Sequence, residues 1–290
     1  MSRWLIVSGV VVLGLALGGG WLYARNPAQS GNARPLSRLS TGDFHSLAFS
    51  PAEPDTVFFG HHDGLLVSRD GGRTWQSTAL QNADAMALAA PSANPQVMYA
   101  AGHDVFLKST DAGQTWQPVS TNLPGTDMHG FAVDPEDASH VFAHVVGVGI
   151  FSSQDGGTTW TLLSSTVPDS TFNLAVGETA QTLHAAAGQA GLLRSTDGGQ
   201  NWSAIAGVPG AGVVAIAYSP ANKRLYVTTL GNGAGLYASD DGGATWIPVG
   251  LKATLLAIAV SPQDPKHLIT VNDQGDVYAS RDSGLTWPNK

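Results

Sequence analysis

Three segments of the chain place a carboxylate two residues before a nitrogen or sulfur donor: Asp43-x-His45, Asp84-x-Met86 and Asp127-x-His129. Downstream of each stands another imidazole, His62, His103 and His144, with His61 and Asp104 as neighbours. Imidazole and thioether donors beside carboxylates suit a transition metal, Cu or Zn, with Met86 favouring the softer Cu. Asp43, Asp84 and Asp127 would then orient imidazole N–H groups or bind a ligand themselves. The same side chains can instead line a polar channel mouth, bonded to backbone and water, or relay protons. Residue types alone leave these three readings open. His140, His184 and His267 fall within or at the start of strand-like runs and read as structural or exposed.

Other chemistries are excluded or unsupported. The chain has no cysteine, so disulfides, thiolate metal ligation and cysteine nucleophiles are absent. Its net charge is -8 and no Lys/Arg run occurs, so nothing matches a phosphate backbone and nucleic acid is not an expected partner. No G-x-S-x-G, P-loop or dinucleotide motif is found.

The elements that must position the donors follow from an internal repeat. The octamers SRDGGRTW (68–75), STDAGQTW (109–116), SQDGGTTW (153–160), STDGGQNW (195–202), SDDGGATW (239–246) and SRDSGLTW (280–287) share Ser, Asp, Gly and Trp at fixed offsets. Their tryptophans, Trp75, Trp116, Trp160, Trp202, Trp246 and Trp287, recur every 41 to 44 residues. Each octamer reads as a hairpin turn: Asp accepts bonds from turn N–H groups and glycine supplies positive φ. Two apolar strand-like runs precede each box, a third leads into it and a fourth follows its Trp. Four short strands per repeat, six times over, predict an all-β, six-bladed propeller of four-stranded antiparallel blades. Pro35–Thr41 is expected to supply the outer strand that the short last repeat lacks, covering an open edge.

In such a blade the start of strand one and the two-three hairpin share one face, and the boxes lie on the other. Aligning the repeats on Ala48, Ala89, Ala132, Ala175, Ala217 and Ala259 puts His45, Met86, His129, Phe172, Val214 and Leu256 at one position, three residues earlier. The candidate metal donors His45, His62, Met86, His103, His129 and His144, and the candidate ligand-binding Asp43, Asp84 and Asp127, are thereby expected on one face of three adjacent blades.

The octamers resemble the Asp box, or BNR repeat, of sialidases, sortilin-type receptors, certain glycoside hydrolases and photosystem II assembly factors, over about residues 40–290. The resemblance implies the propeller and is unspecific for activity. Sialidases hold a substrate carboxylate with three arginines. Here Arg69, Arg73 and Arg281 lie inside boxes, on the other face, and no such triad remains. Glu53, Glu136 and Glu178 occupy turns after strand one, away from the expected site. A glycoside hydrolase would have to use the aspartates instead. The basic patch that photosystem II assembly factors tend to show is absent.

At the N-terminus, Trp4 to Tyr23 carries no charge, lies between Arg3 and Arg25, and is long enough as a helix to span a hydrocarbon core of ~30 Å. Residues 1–25 read as one hydrophobic helix, either a signal anchor or a signal peptide with Leu5–Leu17 as its apolar stretch and Ala28–Ser30 as a cleavage site. Residues 26–38 read as a linker and 39–290 as the propeller. Arg25, Arg34 and Arg38 follow the segment, so the positive-inside pattern does not support this orientation. The expected protein is a monomeric, single-pass membrane-tethered propeller on the extracytoplasmic side, or a secreted one. It acts as a binding or assembly module for a protein, small ligand or glycan, with a metal on its His/Asp face. The alternative is a glycoside hydrolase.

Overall fold

The computed structural model describes residues 33–288. Among them, twenty-four strands build six four-stranded antiparallel sheets. Chain order starts with β1 (Ser37–Arg38). Blade 1 is β2 (Ser46–Phe49), β3 (Val57–His61), β4 (Gly64–Ser68) and β5 (Gln76–Gln81). Blade 2 is β6 (Ala87–Ala89), β7 (Met98–Gly102), β8 (Val105–Ser109) and β9 (Gln117–Pro118). Blade 3 is β10 (Met128–Val133), β11 (Val141–Val145), β12 (Gly149–Ser153) and β13 (Thr161–Ser164). Blade 4 is β14 (Asn173–Val176), β15 (Leu183–Ala186), β16 (Leu192–Ser195) and β17 (Ser203–Ala204). Blade 5 is β18 (Val213–Ser219), β19 (Arg224–Thr229), β20 (Gly235–Ser239) and β21 (Ile247–Pro248). Blade 6 is β22 (Leu255–Val260), β23 (Leu268–Asn272) and β24 (Asp276–Ser280).

The sixth sheet is completed by β1, which pairs with β24 through Ser37↔Val277 and Arg38↔Asp276. Arg38 Nε donates to Asp276 Oδ1 at 2.7 Å, and Leu36 and Leu39 on either side of the strand are buried. The fold is the six-bladed propeller the repeats predict. It begins two residues before the boundary read at 39, because the ring closes on that short strand. Among the described residues no helix is long and apolar enough to cross a membrane. The segment Trp4–Tyr23 lies outside the described residues.

Each box closes on its own side chains. In blade 2, Ser109 Oγ donates to Asp111 Oδ1 (2.8 Å) and accepts the Gly113 N–H (2.8 Å). Asp111 Oδ1 also accepts the Thr115 N–H at 2.8 Å, and Oδ2 accepts the Thr115 hydroxyl. Those bonds, from Thr115 first and then Ser109, hold the Asp111 carboxyl at about 2. The fourth box keeps the pattern although Asn201 replaces Thr, because its amide donates to Asp197 Oδ2 at 2.7 Å.

The core lies between blades rather than within one. Blades 2 and 3 enclose Tyr99, Phe106, Phe131 and Trp160, and blades 6 and 1 enclose Phe49, Phe59, Ile269 and Val277. The box tryptophans reach back to the preceding blade, but only Trp160 and Trp287 are buried; the other four stay half-buried. Gly157 shows how closely these layers approach. Its φ is +93°, and a Cβ there would lie 2.3 Å from the Phe106 ring.

Candidate metal centre

The innermost strand of each blade starts on one face, and in blades 1 and 2 the turn between the second and third strands brings a histidine to the same face. His62 is in the two-residue turn between β3 and β4, and His103 in the matching turn between β7 and β8, where Asp104 takes φ +54°. His45 immediately precedes β2, whereas His129 lies inside β10. There the pairing with β11 skips from Met128↔Val145 to Gly130↔His144, so His129 is the extra residue of a β-bulge. A bulge re-aims its side chain, and this one turns His129 toward the rim.

The carboxylates bind the turn histidines at an identical spacing. Asp43 Oδ2 lies 2.9 Å from His62 Nδ1, and Asp43 Oδ1 accepts the His62 backbone N–H at 3.0 Å. Asp84 Oδ2 is hydrogen-bonded to His103 Nδ1. An ionised carboxylate can only accept, so Nδ1 carries the proton in both rings and each neutral imidazole is left with a bare Nε2.

Those bare nitrogens face the strand-one histidines. His62 Nε2 is 3.1 Å from His45 Nε2, and His103 Nε2 is 3.1 Å from His129 Nε2. Asp127 Oδ1 completes a triangle with the second pair, 3.3 Å from His103 Nε2 and 3.0 Å from His129 Nε2. This oxygen is buried and makes no hydrogen bond. Each Nε2···Nε2 contact has the geometry of a hydrogen bond, whereas the two contacts of Asp127 Oδ1 do not, so this oxygen stands beside both nitrogens without a donor of its own. For a metal about 2.1 Å from each donor, edges of this length subtend about 90–105°. Such angles leave further coordination positions open on the solvent side.

The donors form a row across three blades, from Asp43, His45 and His62 through Asp84 and His103 to Asp127 and His129. Three groups of mutually close donors are present among the described residues: Asp43/His45/His62, His62/Asp84/His103 and His103/Asp127/His129. His62 Nε2 lies 3.9 Å from Asp84 Oδ2, which links the first pair to the second. Burial, with repulsion from His62, lowers the pKa of His45 and favours the neutral imidazole that a metal needs.

Met86 takes the strand-one position of blade 2 and is half-buried. His144 joins none of the three groups. It sits within β11, paired with Gly130 and Ile150, fully buried, and its pKa is lowered by burial and by His129. His61 stacks on Phe59 instead of joining the row.

The strand-one residues also line a central cavity. About 450 Å³ is enclosed chiefly by strand-one Ala, Val and Ile side chains, with His45 at the rim end and Glu136 and Glu178 at the far mouth. Phe172, 45 % exposed, stacks on His129 at 6.5 Å and walls the row on the blade 4 side.

Two family models match the chain. Residues 39–180 match one described as "Photosynthesis system II assembly factor YCF48", and residues 193–204 match the BNR/Asp-box repeat. A xyloglucanase from Paenibacillus sp is 27% identical over 83% of this chain, and the chain spans about a quarter (26%) of that relative's length. Among solved structures, a GH74 enzyme from Niastella koreensis is similar with TM-score 0.64 and 22% identity, over 88% of this chain and 46% of that one. YCF48 from Cyanidioschyzon merolae is similar with TM-score 0.55 and 20% identity, over 89% and 88%. At these identities the structural likeness establishes the propeller fold.

Proposed function

We propose that this Asp-box-repeat six-bladed β-propeller is a binding or assembly module whose working surface is the three-blade His/Asp row, and that the row takes a divalent transition-metal ion. The observation that carries the reading is the triangle of His103 Nε2, His129 Nε2 and Asp127 Oδ1, with edges of 3.0 to 3.3 Å and a buried oxygen that makes no hydrogen bond. Two imidazoles and one carboxylate are borderline donors that suit Zn(II) or Cu(II) better than a hard cation. The open positions leave room for a donor from a protein or small-molecule partner. The stretch matching the assembly-factor model, 39–180, contains every residue of the row and so supports an assembly role. Residues 1–25 would hold the propeller at the membrane, on its extracytoplasmic side.

Titration of Zn(II) and Cu(II) into metal-free protein tests the reading. Saturable binding in the wild type, weakened at least tenfold in His45→Ala/His129→Ala, is the expected result. Its absence would reduce the row to a polar lining.

A glycoside hydrolase is the second reading, favoured by the similarity to the Paenibacillus xyloglucanase. It requires a pair of carboxylates facing a sugar, whereas Asp43 and Asp84 are occupied by imidazoles. Release of reducing sugar from xyloglucan, abolished by Asp84→Ala or Asp127→Ala, would establish it over the binding module.

A further inference from the structure

The row contains more donors than one ion can use, and they are not equivalent. The imidazole pair of the triangle at His103, Asp127 and His129 is repeated in blade 1, where His45 Nε2 and His62 Nε2 also stand 3.1 Å apart. Asp43 Oδ1 lies 3.5 Å from His45 Nε2 and accepts the His62 N–H. Its other oxygen holds His62 Nδ1, on the opposite side of that ring from Nε2, so blade 1 has the imidazole pair without the carboxylate that Asp127 adds to the other triangle. Between the two pairs stands Asp84, whose Oδ2 is bonded to His103 Nδ1 and lies 3.9 Å from His62 Nε2. The His62 and His103 rings are near-parallel, 24° apart in plane, with centroids separated by 6.2 Å. Their Nε2 atoms thus serve two different strand-one histidines, His45 in blade 1 and His129 in blade 3.

From this arrangement we infer that the row holds two transition-metal ions rather than one. The first is bound by His103, Asp127 and His129, and the second by His45 and His62, with Asp43 holding the His62 tautomer. Asp84 coordinates neither in the first instance; it fixes the His103 tautomer and neutralises charge between the ions. Two dications close together repel, and three carboxylates lie along the row with no Lys or Arg among their contacts there. The row therefore carries enough negative charge for a second ion. The free triangle fills first, because its oxygen gives up no hydrogen bond, and the blade 1 site fills more weakly. The inference rests on the metal reading above and adds stoichiometry, order of filling and the ligands of each ion.

Native mass spectrometry of the full-length protein in detergent, loaded with excess Zn(II), reads this directly. Two ions are expected in the wild type, with one retained in His129→Ala, one in His45→Ala and none in the double variant. His129→Ala should lose the tighter ion and His45→Ala the weaker. Since either alanine can disturb packing, His62→Gln and His103→Gln, at half-exposed side chains, repeat the test and should each remove one ion. One ion in the wild type, lost in either single variant, would overturn the two-ion arrangement and leave the metal reading standing. No ion in the wild type would overturn both.

Discussion

Asp43 and His62, nineteen residues apart, are joined twice: one carboxylate oxygen takes the imidazole Nδ1–H at 2.9 Å and the other takes the backbone N–H of the same residue at 3.0 Å. The contact ties the strand-one approach of blade 1 to its own turn and presents Nε2 outward. Asp84 and His103 repeat the imidazole half of it at the same separation, while Asp84 Oδ1 stays buried without a hydrogen bond. Carboxylates in this position typically change metal affinity by about 10–100-fold. Asp84→Asn should weaken Zn(II) binding by that factor without changing the melting temperature by more than a few degrees. Competition with a chromogenic chelator measures the first and thermal denaturation the second.

Backbone conformation sets a second expectation. Gly157 combines φ +93° with an aromatic ring 2.3 Å from any added Cβ, whereas Gly242, in the first glycine position of its box, has φ +70° and nothing nearer than 3.7 Å. Ala112 occupies that first position in blade 2 at φ +58°. Gly242→Ala should cost about 1–2 kcal/mol for the left-handed conformation. Gly157→Ala should cost about 2–4 kcal/mol, overpacking being added. Urea denaturation of the two variants checks the order.

The tryptophans divide in the same way. Trp160 is 6 % exposed, stacks edge-on against Phe106 and donates from Nε1 to Gly157 O at 2.7 Å. Trp160→Ala should cost roughly 3–5 kcal/mol. Trp202→Ala, at a half-buried site, should cost clearly less, and equal losses in chemical denaturation would contradict the packing described.

Acid should destabilise the fold in two stages. His184 is held at about 4 by burial and then by Arg194, and His267 at about 4 by burial and then by Arg281. An unfolded histidine titrates near 6.5, so between these values the unfolded chain binds more protons and stability falls as pH drops from about 6.5 to about 4. The box carboxylates Asp111, Asp155, Asp197 and Asp241 sit at about 2. Below their unfolded value near 3.9 they lose stability in turn, from about pH 4 to about pH 2. Melting temperature against pH should fall in both windows, and His184→Gln should flatten the upper one.

The boxes made the fold legible because each is satisfied locally: Ser, Asp and Gly complete the turn within eight residues, so the pattern survives without any alignment. The shared face of His45, His62, His103 and His129 was legible for a related reason, strand direction fixing which turns meet. Side-chain direction within a strand was not. His144 lies in chain position beside the row, yet within β11 its side chain is fully buried. The bulge that brings His129 to the rim, and the convergence of Asp127 on two Nε2 atoms, depend on register between strands and leave no mark in the residue order. The central cavity likewise arises from six separate strands, each contributing small apolar side chains that look like ordinary core.

Anomalous diffraction at the zinc edge, from crystals of Zn(II)-saturated protein, tests the central claim most directly. The account predicts a peak about 2.1 Å from His103 Nε2, His129 Nε2 and Asp127 Oδ1. Crystals with the three side chains ordered and no anomalous peak between them would contradict it.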